Sequence, residues 1–244
     1  MDFTLMFQNI VELLSKYWQV YLLEGVKNTL ILTVIAVLMG TVLGALVAMM
    51  KMARFKLIRF FASLYIEVIR GTPILLQIYV FYFILPELFP LLNFTSFTWV
   101  AISLCVNSAA YVSEVIRSGI QAVDKGQTEA ARSLGMSQGQ TMLRIILPQA
   151  VRNILPALGN EFIMILKETS LASTFFIGDM MTAHKIVAGA TYLQLESLFI
   201  VGTIYLCITF PLSKLVGWFE KKMSTETSNK KPSRKKLGAK AQEV

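Results

Sequence analysis

Long blocks of Leu, Ile, Val, Phe and Met separated by short polar stretches dominate this 244-residue chain. Residues 29–50 contain no charged side chain, and about 20 apolar residues are enough to carry a helix across a bilayer. Four further blocks follow, at about 60–85, 98–116, 154–176 and 195–215. The second holds Arg70-Gly71-Thr72-Pro73. Proline has no N–H and clashes with the preceding turn, so a kink is expected there. The fourth is the least hydrophobic and holds Glu161, Lys167 and Glu168. Residues 3–23 are interrupted by Gln8, Glu12, Lys16 and Gln19 at three- and four-residue spacing. That spacing reads as an amphipathic helix at the membrane surface, with a sixth span as the competing reading. The blocks are too continuous for a β-barrel, whose strands alternate. The expected class is therefore all-α: a polytopic membrane protein of five transmembrane helices. Residues 1–25 are read as an N-terminal amphipathic segment, 26–220 as the transmembrane domain and 221–244 as a disordered basic tail.

Composition agrees. Hydrophobic residues make up 55% of the chain and charged residues only 16%, more apolar surface than a soluble domain of this size can bury. The net charge of +8 suggests nucleic acid until the charges are placed. Eight of the 23 Lys and Arg lie after Glu220, and Lys51, Arg54, Lys56 and Arg59 follow the first block. Another basic loop follows the third, while the connection 86–97 has no Lys or Arg. The positive-inside rule then puts the N-terminus outside and the C-terminus in the cytoplasm, and no nucleic-acid partner is implied. Cys105 and Cys207 both fall inside apolar blocks and read as lipid- or core-facing thiols. The single His184 cannot build a metal site with them. No cleavable signal peptide is expected, since no basic cluster precedes an early apolar stretch.

The polar stretch 117–152 carries the most specific pattern: Glu129-Ala130-Ala131, three residues, Gly135, nine residues, then Ile145-Ile146-Leu147-Pro148. Two short helices parallel to the membrane are predicted. Ala130 and Ala131 give the first a small-residue surface that another protein can approach. Gly135 can take the left-handed conformation that ends it. Ser137 and Gln140 form a capping-box pattern for the second, and Pro148 interrupts it before the chain enters the membrane. An ordinary loop with two surface helices satisfies the same physics.

These residues resemble the EAA loop (E-A-A-x3-G-x9-I-x-L-P) of membrane subunits of type I ABC importers, with every defined position met. Ala110-Tyr111-Val112-Ser113-Glu114-Val115-Ile116-Arg117, Gly126-Gln127, Glu67-Val68-Ile69-Arg70-Gly71-Thr72-Pro73 and Leu166-Lys167-Glu168-Thr169-Ser170-Leu171 are similar to the polar amino-acid branch of that family. The resemblance covers about residues 20–220. It implies a permease of the bacterial plasma (inner) membrane with no catalytic residues, cofactor or metal of its own. Implied partners are two copies of a separate ABC ATPase subunit, a second permease (the same or a sister chain), an extracytoplasmic substrate-binding protein, an amino-acid substrate and membrane lipid. Glu129, Ala130, Ala131 and Gly135 are the expected ATPase-coupling residues. The chain has no G-x4-G-K-[ST] phosphate-binding pattern, so the ATPase is expected to be another polypeptide.

Ionisable groups at membrane depth are costly and face a cavity or a partner. A free amino acid carries an ammonium and a carboxylate, and Glu161 and Lys167 are their obvious complements. Mutual pairing, within the chain or across a dimer, is the plainer alternative. Asn107, Tyr111 and Glu114 recur at i, i+4 and i+7, a stripe that serves a pathway or helix packing equally well. The resemblance favours a pathway for Asn107 and Ser108. Pro73 is expected to free a backbone carbonyl near Leu75, and broken helices of that sort line substrate sites. Arg70 and Glu67 are placed to pair at i, i+3, and Gly40 with Gly44 marks close helix packing. The leading reading is ATP-driven uptake of a polar amino acid, glutamine-like rather than cationic. The alternatives are a stand-alone secondary transporter or channel, which leaves the EAA pattern unexplained, and a non-transporting scaffold.

Overall fold

A computed structural model describes residues 3–228, and every regular element among them is helical. Helix α1 (Phe3–Trp18) kinks at Tyr17 and passes through a π-helical stretch, Gln19–Val26, into α2 (Lys27–Lys51). The amphipathic segment is therefore joined to the first span by helix, with no loop at residue 25. Tertiary contacts account for this. Leu13 and Tyr21 are buried in a cluster with Met180, Val187, Ile200 and Val201, and the Tyr21 hydroxyl lies 2.7 Å from Ser197 Oγ.

Helix α3 (Lys56–Gly71) ends where Thr72 and Pro73 become extended. The chain restarts as α4 (Ile74–Tyr79), a π-helical turn and the short α5 (Leu85–Leu88). The axis bends by 106° at this point. The expected kink is thus a right-angle break, because two consecutive residues leave the helix rather than proline alone distorting it. Helix α6 (Ser96–Gln121) is the central element, with Val100, Leu104, Asn107, Ser108, Ala110 and Val112 all buried. Gly40 and Gly44 of α2 let it close onto α6: a Cβ at Gly40 would meet the Ser108 side chain at 2.7 Å, and one at Gly44 the Ala109 carbonyl at 2.9 Å.

On the polar stretch lie α7 (Lys125–Ser133) and α8 (Gln138–Thr141). The second predicted loop helix is not separate. It runs from α8 through a π-helical turn, Met142–Ile146, into α9 (Leu147–Glu168). Pro148 sits in the first turn of α9, where a missing N–H costs little, so it does not stop the helix. A 3₁₀ turn (Thr169–Phe175), α10 (Met180–Thr191) and α11 (Gln194–Ser228) complete the bundle. Helix α11 carries the chain eight residues past Glu220; the rest of the predicted tail lies outside the described residues.

Three helical runs among the described residues are long and apolar enough to cross a membrane: Phe3–Lys51, Ser96–Gln121 and Gln194–Met223. The bent pair Lys56–Gly71 and Ile74–Leu88 makes a fourth if it counts as one span. Helix α9 falls short on hydropathy because of its charges, although its 22 residues reach about 33 Å and Ile154, Glu161, Ile163, Ile165 and Leu166 are buried. The main core joins α2, α4, α6 and α9 through Leu32, Ala36, Ile78, Leu104 and Ile165. Cys105 is buried and Cys207 exposed, both as free thiols.

Candidate functional site

Two regions carry the residues singled out in the sequence. In the polar loop, the Asp124 carboxylate accepts the Gly126 N–H at 2.7 Å and starts α7. Its end is a Schellman motif. The Met136 N–H reaches the Ala131 carbonyl at 3.1 Å and the Gly135 N–H the Arg132 carbonyl at 3.0 Å, with Gly135 at φ +83°. Only glycine takes that conformation without a steric cost. The Ser137–Gln140 capping box is complete in both directions. The expected capping chemistry is all present.

The faces of α7 differ from the expectation. Glu129 and Ala130 are exposed, but Ala131 is only 5% exposed and is turned inward. The expected pair of surface alanines is one surface alanine and one packing alanine, because adjacent helix positions lie about 100° apart. Leu134, not singled out from the sequence, is 84% exposed and is the apolar projection of this helix end. Its signal was an apolar side chain directly before the terminating glycine. Arg54 Nη2 donates to Gln138 Oε1 at 2.9 Å, tying the first basic loop to this one.

The second region lies where α9 packs against the middle of the apolar helix α6. Glu161 is 5% exposed and faces the Ser108 hydroxyl; its Oε1 and that hydroxyl are buried and make no hydrogen bond of ordinary geometry. Glu168, seven residues on, has a buried Oε2 without a hydrogen-bond partner. Lys167 is exposed on a different face of α9. The structure therefore brings Glu161 and Ser108 together and separates Lys167 from both; no ion pair joins Glu161 and Lys167 among the described residues. Buried unpartnered oxygens are expensive, and each calls for a ligand, water or partner.

Asn107 is engaged within the chain. Its Nδ2 donates to Gln77 Oε1 at 2.9 Å, and Gln77 Nε2 donates to the Ile69 carbonyl, the Thr72 carbonyl and Thr72 Oγ1 at 2.7, 3.1 and 2.9 Å. Pro73 leaves Ile69 O without its helical donor, four residues back. The released carbonyl is thus at Ile69 rather than near the half-buried Leu75, and the Gln77 amide takes it. Gln77, absent from the sequence candidates, fills the gap left by proline. Its only signal was a polar residue four positions after Pro73.

Arg70 does not turn to exposed Glu67. Its guanidinium lies over the Tyr111 ring, 5.2 Å from the centroid, and 3.9 Å from Glu114 Oε2. Asn107, Tyr111 and Glu114 thus each contact a neighbouring helical segment, through Gln77, Arg70 and Lys51 respectively. No group of three metal-ligating side chains occurs among the described residues. A shallow apolar groove on α11, lined by Leu195, Phe199, Gly202 and Leu206, lies on the exposed face of the bundle and carries no charge.

The described residues form a helical bundle with apolar, membrane-length helices, a loop helix capped at both ends and buried carboxylates. Residues 40–225 match the profile of the binding-protein-dependent transport system inner membrane component family, and the chain belongs to that family. It is similar to a putative glutamine transport system permease of Rickettsia bellii, 40% identical over 218 residues, covering 89% of this chain and 99% of that protein. It is also similar to the arginine transport permease ArtQ of Bacillus subtilis, 39% identical over 205 residues, 84% and 93% of the two chains. Among solved structures, a crystal structure of an amino acid ABC transporter with histidines aligns at TM-score 0.81 and 44% identity, covering 86% of this chain and 96% of that one. An inward-facing methionine transporter, MetNI, shares the fold at TM-score 0.62 and 18% identity, covering 82% and 96%.

Proposed function

We propose that this chain forms the translocation pathway of an ATP-driven importer for a polar amino acid, glutamine-like in preference to cationic. A separate ATPase, in two copies, docks on the loop 117–152, and an extracytoplasmic binding protein supplies substrate. The observation that carries this is the α7 helix: capped at both ends, it presents Glu129, Ala130 and Leu134 outward, the surface a docking partner needs. A stand-alone transporter has no use for such a built projection. Relatives named for glutamine, arginine and nopaline support the amino-acid class. In the pathway, Glu161 with Ser108 is assigned to the substrate ammonium and Lys167, facing out of this protomer, to a carboxylate held between two permease chains. Asn107 and Leu75 line the same depth from α6 and the broken helix.

The test is uptake of labelled amino acids by proteoliposomes containing the purified assembly. Uptake that needs enclosed ATP and persists without an ion gradient is the expected result. Uptake driven by a gradient without ATP establishes the stand-alone transporter instead. The orientation has its own check. In a Cys207→Ser background, a cysteine at Asn93 should react with an impermeant reagent in spheroplasts and one at Gly139 only after lysis; the opposite pattern inverts the topology.

A further inference from the structure

One carboxylate collects three cations where three helical segments meet. Glu114, on α6, is only 16% exposed at its side chain. Its Oε1 receives Lys51 Nζ, from the last residue of α2, at 2.6 Å. Its Oε2 receives Arg117 Nη2 at 2.6 Å, and Arg117 Nε reaches the two oxygens at 3.2 and 3.1 Å. Arg70, one residue before the end of α3, comes to 3.9 Å and is 43% exposed. Two contacts are tight and one is loose. The tight ones tie Glu114 to α2 and to its own helix; the loose one reaches the helix that ends in the right-angle break.

The residues beyond each end of this cluster give it direction. Arg117 Nη1 also donates to Gln121 Oε1 at 2.6 Å, and Gln121 closes α6 just before the Asp124 cap of α7. Arg70 stands two residues from Thr72, whose carbonyl and hydroxyl are held by Gln77, which in turn holds Asn107. The charged cluster and the polar contacts at the break are thus joined only through short stretches of backbone, residues 121–124 towards the loop helix and 70–72 towards the break. Packed, hydrogen-bonded chains carry coupling between sites when one of their links has two arrangements. The long Arg70–Glu114 contact, with cation–π support from Tyr111, is the loosest link in the set.

We propose that Glu114 is a positioning residue that transmits displacement of α7 to the Thr72–Pro73 break, with its contact to Arg70 made in one state of the transport cycle and released in the other. This rests on the reading of α7 as the ATPase-docking element. Neither residue touches substrate in this account. Three cations on one carboxylate leave a surplus of positive charge, so one can depart without leaving Glu114 unpaired.

The experiment compares Arg70→Met, Arg70→Lys, Glu114→Gln and the Glu114→Gln/Arg70→Met double variant with the unaltered chain in the complete reconstituted transporter. Amino acid moved per ATP hydrolysed is measured, together with retention of the ATPase. Arg70→Met is the primary variant because it keeps both tight pairs and does not strip a buried carboxylate. It should keep the ATPase bound and lower amino acid moved per ATP by about fivefold or more, the lower end of ordinary coupling effects. Arg70→Lys should recover most of the loss, and the double variant should be no worse than Glu114→Gln alone. An unchanged ratio in Arg70→Met overturns the inference, as do equal losses in Arg70→Met and Arg70→Lys or additive losses in the double variant. If the unaltered chain itself takes up amino acid without ATP, the functional reading fails first and removes the ground for this one. That outcome shows in the unaltered protein and is not confused with a variant effect.

Discussion

The loop helix α7 and the set around Glu161 both depend on polar residues but are organised by different physics. In the loop, the capping groups are satisfied within a few residues: the Asp124 carboxylate by the Gly126 N–H and Ser137 by Gln140, with Gly135 in its left-handed backbone. In the other set, partners come from other helices, as with Gln77 and Asn107, or hydrogen bonds of ordinary geometry are missing, as at Glu161 and Ser108. A loop that completes its own hydrogen bonds is ready to present its outer face to a protein. A buried carboxylate left incomplete is ready to receive a ligand. On the proposed function, the contrast assigns rigidity to the docking surface and unmet demand to the pathway.

The largest expected effect separates the two neighbouring alanines. Ala131→Arg forces a long cation into a packed position, where overpacking alone costs about 1–3 kcal/mol and the charge adds desolvation. It should abolish transport and loosen the loop itself, read as rapid proteolysis between residues 117 and 152. Ala130→Arg sits on the exposed face and should block ATPase capture in a pull-down while the loop stays protease-resistant. If both behave alike, the inward and outward faces of α7 are wrongly assigned.

Next in size is Gln77→Leu. It takes the donor from the Ile69 and Thr72 carbonyls and leaves Asn107 without its acceptor, a loss of about 2 kcal/mol from buried polar groups left unpaired. The unfolding midpoint of the purified chain in detergent should fall by several degrees. A midpoint equal to that of the unaltered chain would mean that water or lipid headgroups satisfy the break.

Gly135→Val follows, at about 1–2 kcal/mol for a β-branched side chain in the left-handed region. Amide hydrogen exchange should quicken in the last turn of α7 and not in α6. The smallest effect belongs to Ser137→Ala, which removes one half of the capping box at a cost of about 1 kcal/mol. It should fray only the first turn of α8, leaving transport close to normal. Faster exchange throughout the loop would show that the caps act as one cooperative unit.

These differences also explain what the sequence made legible. The Ser137–Gln140 capping box, Gly135 and the Gly40/Gly44 contact follow from rules with short reach, and they appear where expected. The direction of Ala131 depends on what α7 packs against, which no spacing within the helix specifies. The fate of the carbonyls near Pro73 depended on Gln77, whose role exists only once the helix has broken by 106° and folded its side chain back. Arg70 had a near partner in Glu67 and took a distant one in Glu114, because α6 brings that carboxylate to the end of α3. For α9, the six-residue spacing already sets Glu161 and Lys167 about 120° apart around the helix, and the structure buries the first and exposes the second.

The central claim is that the outer face of α7 is where an ATPase subunit docks, and site-specific photocrosslinking in intact cells tests it most directly. A photoreactive residue at Ala130 or at Leu134 should capture a protein carrying a P-loop nucleotide-binding motif, while one at Ala131 should give only crosslinks within this chain. Capture from Ala131 with none from Ala130 or Leu134, or no ATPase captured from any of the three, would contradict the account.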